Sequence, residues 1–213
     1  VLKQPLKLIH IISDPLPESI SVNKRVAAQF LESMKMVDPD LSVVEINLDN
    51  DPPPFYAIDL FNFNWSPLSN PEYQPSLNES KAAKYMLRHA AILRSADLLL
   101  LSAPVWNFYL PAVLKAWIDQ VVSPGQMFEL GANGKIPLHH IQSMISVISA
   151  GGEVSAGGIA QSLFHLLRET FRYAGIDQHH ELLIERQEPA IFTDHLDREV
   201  EAIAVADYRR QVA

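Results

Sequence analysis

Asp97-Leu98-Leu99-Leu100-Leu101-Ser102-Ala103-Pro104-Val105-Trp106-Asn107-Phe108 is the stretch whose reading decides the fold. Four consecutive leucines without apolar–polar alternation predict a strand buried on both faces, as in the interior of a parallel sheet. The strand runs into a loop of aromatic and turn residues. An amphipathic helix starting near Leu110 follows, marked by Val113, Leu114, Trp117, Ile118, Val121 and Val122. In open α/β sheets, ligands lie in the crevice beyond the carboxyl ends of the strands. Pro104, Trp106, Asn107 and Phe108 at such a place predict the wall of a pocket for a flat ligand.

Working outward, residues 6–12 predict a first strand, and 13–21 a loop broken by Pro15 and Pro17. Val22–Val37 predicts a helix, with Val26, Ala27, Phe30, Leu31 and Met34 at helical spacing. A second strand over 41–48 completes a βαβ unit. Residues 49–75 carry Pro52-Pro53-Pro54, Pro67, Pro71 and Pro75 beside Phe55, Tyr56, Phe61, Phe63 and Trp65, and are expected to be a long loop. Its aromatics argue against a solvated linker, which leaves a substrate- or dimer-facing excursion or a packed flap. One helix is expected from Ser76 through Leu93, its inner face made by Ala83, Met86, Leu87, Ala90 and Leu93. Residues 123–138 read as another loop, Ser143–Ser149 as the fourth strand and 150–158 as a glycine-rich turn. A helix over 159–173 stopped by Gly175, a strand over 176–185 and a helix over 196–208 complete the pattern. Five strands alternating with five helices predict one doubly wound α/β domain over residues 1–213.

The 213 residues are 48% hydrophobic, enough for one large core, and carry a net charge of −8. No basic cluster offers a footprint for nucleic acid, although a helix N-terminus could still hold a small anion. The absence of cysteine excludes disulfides, thiolate metal sites and cysteine nucleophiles, and fits a cytoplasmic location. No run of apolar residues is long enough to span a bilayer, so no membrane association is expected. The pairs His139-His140 and His179-His180 lack metal-ligand spacing, and no metal site is expected. Glu181, Glu185 and Glu188 read as a solvated surface, and Ser149 does not sit in the nucleophile elbow of a hydrolase.

A dinucleotide cradle requires G-x-G-x-x-G directly after the first strand, yet Ser13-Asp14-Pro15-Leu16-Pro17-Glu18-Ser19-Ile20-Ser21 contains no glycine. A flavodoxin-like sheet of order 2-1-3-4-5, with its switch point between the first and third strands, is the better expectation. Ser19 and Ser21 begin the first helix, where hydroxyls and free N–H groups could hold a phosphate monoester; one of them could equally be an N-cap. In that strand order three loops converge: 13–21, 103–108 and 149–152. They offer a phosphate-type site, an aromatic wall and the glycine pair Gly151-Gly152, which suits a flat ring with a phosphate tail.

These residues resemble the FMN-dependent NADH azoreductases, within the flavodoxin-like quinone reductases. Ser13 and Ser19-Ile20-Ser21 match that family's serine pattern around the FMN phosphate. Ala103-Pro104-Val105-Trp106-Asn107-Phe108 stands where the family has Ala-Pro-Met-Tyr-Asn-Phe, and Ser149-Ala150-Gly151-Gly152 where it has Ser-Arg-Gly-Gly. Leu114-Lys115, Trp117-Ile118-Asp119 and Phe128 also follow the pattern, so the resemblance spans nearly the whole chain. It implies FMN bound by Ser13, Ser19, Ile20, Ser21, Pro104, Val105, Trp106, Asn107, Phe108, Ser149, Gly151 and Gly152, with no side chain acting as acid or base. It further implies NADH or NADPH as a transient donor, a quinone or azo compound as acceptor in a ping-pong cycle, and a homodimer. Two departures stand out: Ala150 in place of an arginine, and the aromatic segment 52–75. The competing expectation is a flavodoxin-like FMN-binding or regulatory protein without significant turnover.

Overall fold

The computed structural model describes residues 5–185, apart from 133, 156 and 157. The expected helix over 196–208 and Glu188 lie outside the described residues. Five parallel strands form one sheet in the order β2 (Ser42–Asn47), β1 (Lys7–Ile12), β3 (Leu98–Pro104), β6 (Ser143–Ser149), β7 (Gln178–Ile184). Numbered along the sheet strands alone, this is the expected order 2-1-3-4-5.

Every residue of β3 is buried. Leu99 and Leu101 pack with Leu93 of α4 (Lys84–Arg94), Trp117 of α5 (Ala112–Val121) and Phe171 of α6 (Ile159–Ala174). Leu98 and Leu100 pack on the other face, with Val26, Phe30 and Met34 of α1 (Val22–Val37). The four leucines thus serve both layers alternately, which is why the sequence shows no period of two.

Three segments differ from the sequence expectation. Within the supposed loop 49–75, Ile58–Ser69 forms α2. Its apolar residues point two ways: Leu60 and Phe63 pack toward Ala83 and Met86, whereas Ile58, Phe61, Trp65 and Leu68 are exposed. Apolar residues on opposite sides erase the one-sided helical signature, and Pro67, which suggested a breaker, sits in the last turn. The helix expected from Ser76 divides into α3 (Leu77–Ala82) and α4, turning at Ala83. Ser76 and Glu79 form a capping box at its start, and on α4 His89 is buried while Leu87 is exposed. Within 123–138, β4 (Phe128–Gly131) and β5 (Gly134–Pro137) make an antiparallel hairpin. Phe128 of this hairpin meets Tyr173 of α6 edge to face at 5.1 Å.

The expected stop at Gly175 is a Schellman motif. Ile176 N–H donates to Phe171 O at 2.9 Å, Gly175 N–H to Arg172 O at 3.0 Å, and Gly175 has φ +106°. A Cβ there would lie 2.4 Å from Pro137 Cγ, so the absent side chain also lets the hairpin seat against the helix end. Gly175→Ala is therefore expected to lose more than the roughly 1–2 kcal/mol of a left-handed residue alone, read by urea unfolding. Unchanged stability would show that neither the turn nor the contact matters.

Candidate functional site

The carboxyl ends of β1, β3 and β6 meet at one edge of the sheet. Ser13, fully buried, donates its N–H to Ser102 O at 3.0 Å, while its hydroxyl has no hydrogen-bond partner among the described residues. The next residue, Asp14, is 1% exposed, and its carboxylate gathers three donors. Leu16 N–H lies at 2.9 Å, Ser21 Oγ at 2.7 Å and Asn23 Nδ2 at 2.8 Å. Ser21 is the N-cap of α1, accepting from Lys24 N–H at 3.2 Å, so its hydroxyl caps the helix and donates to Asp14 at once. Asn23 Nδ2 also donates to Ser149 Oγ at 3.0 Å, tying the first helix to the end of β6. Ser19 and Ile20 stand exposed in the turn before the helix.

At the end of β3, Pro104 pairs with Ser149, and just beyond it Val105 N–H donates to Ser149 O at 2.7 Å. Trp106 and Tyr109 exchange backbone hydrogen bonds of 2.8 and 2.9 Å around Asn107 and Phe108, whose φ values are 49° and 63°. This is the positive-φ pattern of a type I′ two-residue turn. Asparagine tolerates it, whereas a phenylalanine there is strained. Phe108 is 68% exposed, so burial does not explain its presence.

At the end of β6, Ala150 packs inward with Val105, Val154 and Ala160. An arginine at this position would have to leave that cluster or bury its charge. Gly151 and Gly152 are exposed, and a Cβ on either would meet nothing within 4 Å. Glu185, expected on a solvated surface, instead accepts Ser155 N–H at 2.6 Å, Ser155 Oγ at 2.7 Å and Val154 N–H, and braces this loop.

Histidines stiffen the same edge. His10 in β1 reaches Ser102 Oγ at 2.9 Å and Glu45 at 3.3 Å; burial holds its pKa below the ordinary value. His89 Nδ1 accepts Trp117 Nε1–H at 3.1 Å, which leaves Nε2 to donate to Asp51 at 3.0 Å. Burial likewise lowers its pKa, in keeping with that neutral tautomer. A cavity of about 490 Å³ opens beside them, lined by Ile12, Asn47, Asp51, Arg88 and His89. None of residues 104–108 or 149–152 lines it.

The edge therefore combines an unpartnered buried hydroxyl, donors converging on an anion at the start of α1, and an exposed aromatic turn beside open glycines. A flat cofactor with an anionic tail fits these features. The sequence indicated the loops. It did not single out Asp14, Asn23, His10 or Glu185; the only available signal was polar residues within or next to the strand-end segments.

The family described as flavodoxin-like fold matches residues 6–206. The FMN-dependent NADH:quinone oxidoreductase of Azotobacter vinelandii is 32% identical over 171 residues, 78% of this chain and 81% of that protein. The FMN-dependent NADH:quinone oxidoreductase 2 of Bradyrhizobium diazoefficiens is 32% identical over 80% of this chain and 83% of its own length. The chain belongs to the flavodoxin-like FMN-dependent NADH:quinone oxidoreductase family. Among solved structures, a Bacillus anthracis azoreductase superposes with a TM-score of 0.79 at 22% identity, covering 96% of this chain and 99% of that one. An FMN-dependent NADH-azoreductase from Bacillus anthracis, in complex with FMN, gives 0.77 at 21% identity over 95% and 98%. These structural neighbours share the fold of the oxidoreductase family.

If the turn at 107–108 serves a ligand rather than the fold, relieving its strain should stabilise the protein. Phe108→Asn is expected to raise unfolding free energy by about 0.5–1 kcal/mol in urea titrations. A loss of stability would show that Phe108 holds the turn together.

Proposed function

We propose that this protein is an FMN-dependent oxidoreductase that takes electrons from NADH or NADPH and delivers them in pairs to quinones and azo compounds, alternating between the two partners. The observation that carries this reading is the meeting of three strand-end loops at the switch point of a fold whose curated relatives are FMN-dependent NADH:quinone oxidoreductases. FMN, when bound, supplies the hydride chemistry. The chain supplies position and charge.

In this reading Ser13, Ser19, Ile20 and Ser21 line the phosphate end, where the Ser21 hydroxyl is shared with Asp14. Pro104, Val105, Trp106, Asn107 and Phe108 form one wall for the ring, and Ser149, Gly151 and Gly152 its far edge. Backbone N–H groups of Asn107 and Phe108 and at Gly151-Gly152 face the charge that builds on the ring during reduction, since those of Val105 and Trp106 are bonded within the protein. The open space beside both glycines supports their place at a ligand edge. No side chain is assigned a proton-transfer role. The relatives named for turnover favour this reading over a binding protein that has lost it.

We further propose that residues 1–213 fold as one domain that pairs with a second copy through α2. Ile58, Phe61, Trp65 and Leu68 are 38–69% exposed and recur along one face of that helix, with Phe61 and Trp65 stacked at 6.2 Å. No helix among the described residues is long and apolar enough to cross a membrane. The cysteine-free composition and a reduced nicotinamide donor support a cytoplasmic setting.

Anaerobic titration of the FMN-loaded protein with NADH should bleach the flavin bands, and a quinone should restore them. A protein that neither takes up FMN nor oxidises NADH in the presence of a quinone would overturn the proposal. Ser13→Ala separates ligand binding from folding, because the Ser13 hydroxyl has no partner among the described residues. It should leave the melting temperature of the apoprotein unchanged or raised and weaken FMN binding by about 1–3 kcal/mol. A double Phe61→Asp, Trp65→Asp variant should sediment as a monomer where the wild type sediments as a dimer; a monomeric wild type would reject the interface.

A further inference from the structure

The loop after β1 sets a negative charge where the cofactor would bring its own. We propose that Asp14 is a specificity-determining residue: its carboxylate competes with the flavin phosphate for the donors at the start of α1 and lowers the preference for FMN over unphosphorylated riboflavin. The inference rests on the FMN reading above and concerns what that site selects.

Donor arithmetic is the first argument. Ser21 has one hydroxyl hydrogen, and it is given to Asp14 Oδ2. Leu16 has one backbone N–H, and it is given to Asp14 Oδ1. Asn23 Nδ2 has two hydrogens, spent on Asp14 Oδ2 and Ser149 Oγ. A phosphate arriving at the first turn therefore finds Ser21 and Leu16 engaged. Of the serine hydroxyls at 13 and 21, only that of Ser13 is unpartnered.

Charge is the second. Asp14 is 1% exposed, so water screens it little. A phosphate monoester carries between one and two negative charges near neutral pH, and like charges within a few ångströms disfavour one another. The adjoining loop adds Glu18, and Lys24, which gives one of its three ammonium hydrogens to Leu16 O, is a cation of the first helical turn. Riboflavin has the same ring and ribityl chain without this penalty. The carboxylate takes its three donors from the loop N–H of Leu16 and the side chains of Ser21 and Asn23, a donor set able to hold an anion and here filled from within the chain.

The test is a fluorescence-quenching titration of the apoprotein with FMN and, separately, with riboflavin. For the wild type the two dissociation constants should differ by less than about tenfold, since the phosphate gains few charge-assisted bonds. Asp14→Asn keeps an acceptor in place and removes the charge. It should tighten FMN by about tenfold or more and leave riboflavin within about threefold. Asp14→Ser should move the ratio the same way, and melts monitored by circular dichroism establish that both variants are folded. A wild-type preference for FMN above about a hundredfold, or an FMN-to-riboflavin ratio unmoved in both folded variants, overturns the role of Asp14 and leaves the FMN reading intact. Failure of both flavins to bind wild type and variants overturns that reading and this inference together.

Discussion

The burial of β3 on both faces is the constraint on which the rest depends. With Leu98 to Leu101 committed alternately to α1 on one side and to α4, α5 and α6 on the other, this stretch of β3 carries no polar side chain. Polar chemistry is displaced to the strand end, beginning at Ser102. The neighbouring strands also end in serines, Ser13 just after β1 and Ser149 in β6, although each buries a polar residue further in, His10 in β1 and Ser146 in β6. A parallel sheet whose order reverses beside its first strand then leaves these ends facing a common crevice.

At that edge, hydrogen bonds rather than apolar packing fix the geometry. Asn23 bridges Asp14 and Ser149, Val105 ties to Ser149, and His10 links Ser102 to Glu45. These bonds join three loops far apart in sequence into one surface. Not every group is satisfied: the Ser13 hydroxyl is orphaned and Phe108 is held at positive φ. Sites for ligands commonly carry such local costs, because the missing partner or the needed shape arrives with the ligand. The well-satisfied Asp14 makes the opposite choice, completing the start of α1 without a ligand.

Much of this was legible in the sequence, for identifiable reasons. α1 spans the predicted Val22–Val37 because its apolar residues lie on one face and Ser21 caps it. β6 spans the predicted Ser143–Ser149. α2 escaped because it buries one side and exposes an equally apolar other side. The hairpin of β4 and β5 escaped because its strands have four residues each and only Phe128 among them is buried, too little for a periodic signal. The strand-end loops were visible from residue type, but Ser21 as cap and donor, Asp14 as acceptor and Glu185 as brace were not, since each role depends on a partner elsewhere.

By itself the sequence determined the class of fold, the succession of elements about the sheet and the three loops that would meet. Those features follow from local periodicity, from turn residues and from the absence of a glycine cradle after the first strand. Only the tertiary structure decided which polar groups at that edge are already spent on one another and which remain for a ligand. A hydrogen bond is satisfied through space: Ser13 and Ser21 are the same residue type eight positions apart, yet one hydroxyl is committed twice and the other has no partner.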